Sequence, residues 1–247
     1  MRGSTWSRLA LAGLLIAPAG AAAQDGPSPV SFTGSVTGVS DYTFRGISQT
    51  LEDIAIQGGI TAAGPQGLYL GAWGSSLNFG EASHEDRAHT EMDVFGGLKK
   101  SVAGVDADLG FVYYGYPGTG ATYEYDFIEF ALGLSRSFAA LSAGVKAAYS
   151  PDYFAGSGSG LYTSATVGVP LPSTPLSVAG SVGHQTIDVN SAFGTPDYTD
   201  WSAGASLAAL GLSFGVTYVD TDVAKTECFG GSNLCAPRIV FSLSRGM

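Results

Sequence analysis

The sequence predicts an all-β fold: a closed antiparallel transmembrane β-barrel of about twelve strands, following a cleaved signal peptide. Three observations predict it. Apolar and polar residues alternate with period two in stretch after stretch, which gives each strand two unlike faces. The stretches run about ten to twelve residues, longer than soluble strands and close to the nine to eleven that a tilted strand needs to cross a bilayer. The connections alternate between short and long, as barrels with tight turns on one side and loops on the other do.

The first 23 residues lie outside the fold. Arg2 and Arg8 make a positive start, Leu9 to Ala17 is a short apolar core, and Ala21-Ala22-Ala23 is a small-residue cleavage site. The expected division is therefore a signal peptide over 1–23 and a barrel over 24–247.

Composition narrows the class. Asp and Glu number 21 against 11 Lys and Arg, an acidity that argues against nucleic acid and anionic surfaces as partners. Charged residues make up only 13% of the chain, about half of what a soluble domain carries, and Gly is abundant at 36. No apolar run approaches the eighteen or so residues of a spanning helix. The partners implied are a lipid bilayer, the barrel-assembly machinery and small solutes.

The strands fall near 30–45, 53–62, 67–78, 89–101, 105–116, 124–137, 141–150, 160–170, 175–187, 197–208, 212–221 and 236–245. The stretch 90–116 shows the pattern best. Met92, Val94, Gly96 and Leu98 share one face, with Glu91, Asp93 and Lys99 on the other. After the turn Val102-Ala103-Gly104, odd positions from Val105 to Tyr113 are apolar, and Asp106, Asp108 and Gly110 lie opposite. Parity also sends Ile54, Ile56, Ile60, Ile128, Phe130, Leu132 and Leu134 outward, and Gln57, Thr61, Glu129 and Lys146 inward. Rival outer faces, Leu68 with Leu70 or Tyr69 with Trp73, leave the third strand open. Tyr and Trp near strand ends, among them Tyr42, Tyr69, Trp73, Tyr125, Tyr149, Tyr162, Tyr198, Trp201 and Tyr218, are expected to form interfacial girdles.

The segment Val39-Ser40-Asp41-Tyr42-Thr43-Phe44-Arg45-Gly46-Ile47-Ser48-Gln49-Thr50 resembles the opening motif of the TorF-family porins of Gram-negative bacteria. Gln57-Gly58-Gly59, Gly67-Leu68-Tyr69-Leu70-Gly71-Ala72-Trp73 and Glu91-Met92-Asp93-Val94-Phe95-Gly96-Gly97 extend the resemblance over nearly the whole mature chain. It implies an outer-membrane barrel with a channel role, and it brings no established functional residues. The ending Ser244-Arg245-Gly246-Met247 departs from the terminal aromatic residue usual in such barrels.

The candidate pore-lining residues are Arg45, Glu91, Asp93, Lys99, Asp106, Asp108, Glu129, Lys146 and Asp200. Acids outnumber bases among them, which favours cations in a narrow lumen. A side-chain plug that conducts nothing is the competing reading. Arg45 either binds an anion at the mouth or pairs with a lumen carboxylate. The turn at 102–105 sets Lys99 opposite Asp108 as a neutralising pair. Cys228 and Cys235 are expected to form a disulfide that closes a loop in an oxidising compartment. His84 and His89, with Glu81, Glu85 and Asp86, read as a solvated loop before a metal site. His184 is the only His in a strand, and His184-Gln185-Thr186 puts Thr where a lipid hydrolase would carry Ser. With no phosphate loop, HExxH or GxSxG, the chain reads as a non-enzyme without a cofactor.

Overall fold

The computed structural model describes residues 30–81, 87–138 and 141–247. The expected signal peptide, and His84, Glu85 and Asp86, lie outside the described residues. Twelve strands close into a barrel. They are β1 (Ser31–Val39), β4 (Ala55–Ala63), β5 (Leu68–Ser76), β6 (Thr90–Val102), β7 (Val105–Gly115) and β8 (Phe127–Phe138). The second half comprises β9 (Leu141–Ser150), β10 (Gly160–Pro170), β11 (Leu176–Ile187), β12 (Tyr198–Ala209), β13 (Leu212–Thr221) and β14 (Arg238–Gly246). Each pairs antiparallel with its sequence neighbour, and β1 closes the ring between β4 and β14. Closure satisfies every strand edge, which an apolar surrounding requires. Among the described residues, no helix is long and apolar enough to cross a membrane.

The wall has the expected two faces. Ile56, Ile60, Phe130, Val145, Val216, Ile239 and Phe241 point out and are exposed, while Thr61, Glu129 and Thr217 on the same strands face in and are buried; Ile54 is exposed too but precedes the strand. The third strand is settled by register. Trp73 pairs with Asp93 and Tyr69 with Gly97, so these rings face the lumen and Leu68 and Leu70 face out.

Two expectations need correction. The first strand does not continue to residue 45. It ends at Val39, and the chain turns inward to form a small hairpin, β2 (Thr43–Phe44) with β3 (Ile47–Ser48). Asp41 drives the turn: its Oδ1 accepts from the Ser48 hydroxyl at 2.7 Å and the Thr50 hydroxyl at 2.8 Å. Its Oδ2 accepts from Arg238 of β14 at 2.8 Å. Arg45 and Gly46 at the tip have φ of +49° and +81°, as a tight two-residue hairpin turn demands.

The second correction concerns the girdle. Tyr149, Trp201 and Tyr218 do face out, but Tyr42 and Tyr198 are buried inside, and Tyr69, Trp73 and Tyr162 also face the lumen. A narrow barrel has room for rings inside wherever the facing residue is small. A Cβ on Gly183 would lie 2.0 Å from the Tyr162 hydroxyl, so that glycine exists to admit the ring.

Candidate functional site

The loop end of the lumen is a packed core. Tyr114 stacks on Phe127 at 4.3 Å, and Tyr125 on Phe154 at 4.4 Å. Phe79, Tyr116 and Phe193 meet these rings edge-on or tilted. The rings come from four loops and two strand ends, so the loops share one hydrophobic cluster instead of hanging free. Cys228 and Cys235 form the expected disulfide and lie buried within that cluster. Their loop grips the hairpin, since the Ser48 amide donates to the Leu234 carbonyl at 3.0 Å.

Arg45 anchors the hairpin across the lumen. Its Nη2 donates to both oxygens of Glu129 on β8 at 2.7 Å, and its Nη1 donates to Gln185 Oε1 on β11 at 2.5 Å. The guanidinium lies 4.1 Å over the Tyr162 ring on β10 and 4.6 Å from Phe44. Burial, the largest single influence, would weaken its hold on the proton, but the Glu129 charge together with Tyr153, Tyr114 and Tyr162 more than offsets it and raises the pKa above its ordinary value. The expected ion pair with a lumen carboxylate is therefore present, and the carboxylate is Glu129. The Tyr114 hydroxyl donates to Glu129 as well, at 3.1 Å. The tip ends against the far wall: a Cβ on Gly46 would lie 2.5 Å from Thr221 Cγ2 and 3.1 Å from Asp200 Cβ.

The other predicted residues fall into two groups. Glu91, Asp93 and Asp200 lie near the loop end, buried with Arg45 and Glu129. Asp200 accepts from the Tyr162 hydroxyl at 3.0 Å. Glu91 and Asp93 are each 1% exposed, so they are not open to water as an open pore would leave them. Toward the turn end, Lys99 lies opposite Asp108 in register and 3.4 Å from it, and the Tyr69 hydroxyl donates to Asp108 at 2.7 Å. Asp106 is exposed and accepts from Ser101. Lys146 sits half-buried between Gly133 and Ser164.

Below the hairpin the inner face turns small and hydroxylated, with Ser142, Ser164, Thr166, Ser181, Ser202 and Thr217. Beyond a lumen carboxylate, sequence reasoning did not find the groups that hold Arg45. Parity would have put Gln185 and Tyr162 inward. Tyr153, whose hydroxyl accepts from Arg45 Nη1 at 3.4 Å, comes from a loop and left no periodic signal. His89 is exposed and takes a hydrogen bond from Arg87 at 3.1 Å, while His184 faces outward with Nδ1 3.2 Å from the Thr199 hydroxyl.

Comparison with known proteins bears on the wall more than on the plug. No curated protein matches the chain. Among solved structures, a NanC porin shares 10% identity with a TM-score of 0.56, covering 85% of this chain and 97% of that one. A chain from work on the in-meso crystallization of membrane proteins shares 8% identity with a TM-score of 0.51, covering 87% and 83%. LpxR from Salmonella typhimurium aligns at 9% identity over 87% and 99%, but its TM-score of 0.47 is too low to carry an argument. At such identities the likeness is one of fold, a porin-like barrel. None of these comparisons carries the TorF label that the opening motif suggests. A family model described as a bacterial protein of unknown function, Gcw_chp, matches residues 23–247, and the chain belongs to that family.

Proposed function

We propose that this chain is an outer-membrane porin-like channel for passive diffusion of small polar or ionic solutes, weakly cation-favouring, and closed at its loop end by the Arg45 hairpin. The observation that carries the reading is the lining below the hairpin. A wall that only needed filling would carry large apolar side chains there. Instead it carries Ser and Thr hydroxyls, with Asp106, Asp108, Lys99 and Lys146 among them. The resemblance of residues 39–50 to the TorF-family porins supports the same reading, as does the signal-like segment 1–23, which would hand residues 24–247 to the barrel-assembly machinery.

Pore-lining roles are assigned accordingly. Lys99 with Asp108, Asp106 and Lys146 line the open half, while Arg45, Glu129, Glu91, Asp93 and Asp200 belong to the closure. The test is planar-bilayer recording of the wild type beside a variant whose residues 43–48 are replaced by a Gly-Ser linker. The variant should conduct steadily and the wild type rarely. Under a salt gradient the variant's reversal potential should show cation preference, reduced by Asp106→Asn. The packed cap supports a second reading, a non-conducting structural or adhesive surface barrel, and silence from both proteins would establish that one instead. The lipid-hydrolase alternative finds little support, because the partner of His184 is a Thr hydroxyl.

A further inference from the structure

Two carboxylates on β6 stand out from every other acid in the closed end. Glu91 and Asp93 are two residues apart on the inward face, as strand periodicity requires. Each is 1% exposed. Every other buried acid among the described residues has a partner: Asp41 has Arg238, Glu129 has Arg45 and Tyr114, and Asp200 has Tyr162. Glu91 Oε1 and both oxygens of Asp93 meet no protein donor. Among the described residues neither acid forms an ion pair, and Arg45 and Arg238 are committed elsewhere.

A third group converges from a different element. The Tyr42 ring, just before the hairpin, packs edge-on to Trp73 at 5.6 Å, and Trp73 is the register neighbour of Asp93. Its hydroxyl is buried and faces the Glu91 carboxylate without forming a well-aligned hydrogen bond.

Two buried negative charges with no counter-charge would cost several kcal/mol or more. From this we infer that Glu91, Asp93 and Tyr42 form a binding site for a hard divalent cation of calcium's kind. Two carboxylates match a charge of two plus. Up to four carboxylate oxygens and a phenol oxygen suit calcium, which takes six to eight oxygen ligands in flexible geometry, better than magnesium, which insists on a near-ideal octahedron. No sulfur or imidazole belongs to the set, which disfavours zinc and copper. Tyr42 adjoins the hairpin through its amide, which donates to the Thr50 hydroxyl at 3.2 Å, so a bound cation would tie β6 to the closure.

The site does not rest on the channel reading, and binding is measured without conduction. Detergent-solubilised barrel, stripped with a chelator, is titrated with terbium, using Trp73 and Tyr42 as antennae. Sensitised emission should saturate at one ion per chain and be displaced by calcium. The double variant Glu91→Gln with Asp93→Asn should lose no less than the roughly 10–100-fold in affinity that loss of a mere outer-shell partner costs. Tyr42→Phe keeps both charges and should bind several-fold more weakly. If the double variant fails to fold, the wild type still decides: calcium should raise its unfolding temperature and chelator should lower it. Binding undiminished in the double variant would overturn the site. So would a wild type that binds no terbium and is stabilised by acid but indifferent to cations, the behaviour of two carboxyls that hold protons.

Discussion

Arg45 brings a full charge to the middle of the closed end, and its stability there depends on Glu129. Their side chains are 6% and 2% exposed, so neither can be solvated once the other is gone. Arg45→Ala or Glu129→Ala should each destabilise the closed state by about 3–5 kcal/mol, because each strands a buried charge. Replacing both, as Arg45→Met with Glu129→Leu, should recover much of that loss, since an apolar pair needs no counter-charge. Urea titrations of the four proteins folded into vesicles, followed through aromatic fluorescence, check the cycle. Equal losses in single and double variants would show that the ion pair is not what holds the tip.

At the scale of elements, the hairpin is held by its fit at the tip and by the disulfide loop behind it. Gly46 combines a left-handed φ with contact against Thr221 and Asp200. Gly46→Ala should therefore dislodge the tip, at a backbone cost of about 1–2 kcal/mol before the clash is counted. Thr221→Ser removes Cγ2 but keeps the hydroxyl that donates to the Cys235 carbonyl at 2.9 Å, so adding it to Gly46→Ala should restore part of the fit. The readout is open probability in single-channel traces, high in Gly46→Ala and lower in the double variant.

Behind the hairpin, Cys228–Cys235 closes a small loop whose carbonyls at Asn233 and Leu234 also accept from Arg238, the partner of Asp41. Replacing both cysteines by Ala should cost roughly 2–3 kcal/mol by the chain-entropy account. The cost should fall on the cap: protease should nick residues 228–235 while the strands remain protected.

For the whole molecule, closure through β1 between β4 and β14 places both ends of the described barrel on the turn side. If the turns face the periplasm, an epitope tag near residue 155 should be cut by protease on intact cells, and one near 103 should survive. Cutting at 103 alone would invert the orientation, and cutting at both would break the spanning topology.

The barrel was legible in the sequence because its information is local. Period two, strand length and alternating connections each follow from a backbone that must bond to its neighbours and show lipid an oily face. Lys99 opposite Asp108 was legible for the same reason, since a tight turn fixes register. The closed end was not. Thr43 to Arg45 alternates like the strand before it, and nothing local says that the chain turns inward at Ser40. That decision is made by distant groups: Arg238 on Asp41, Glu129 and Gln185 on Arg45, and Thr221 against Gly46. The rings expected at the membrane surface entered the lumen for a similar reason, because facing glycines and neighbouring loops left room only there. Sequence periodicity determined which face most strand residues take, the third strand excepted. Only the tertiary structure decided whether that face meets water, a ring or a buried charge, because burial depends on what folds over it from elsewhere in the chain.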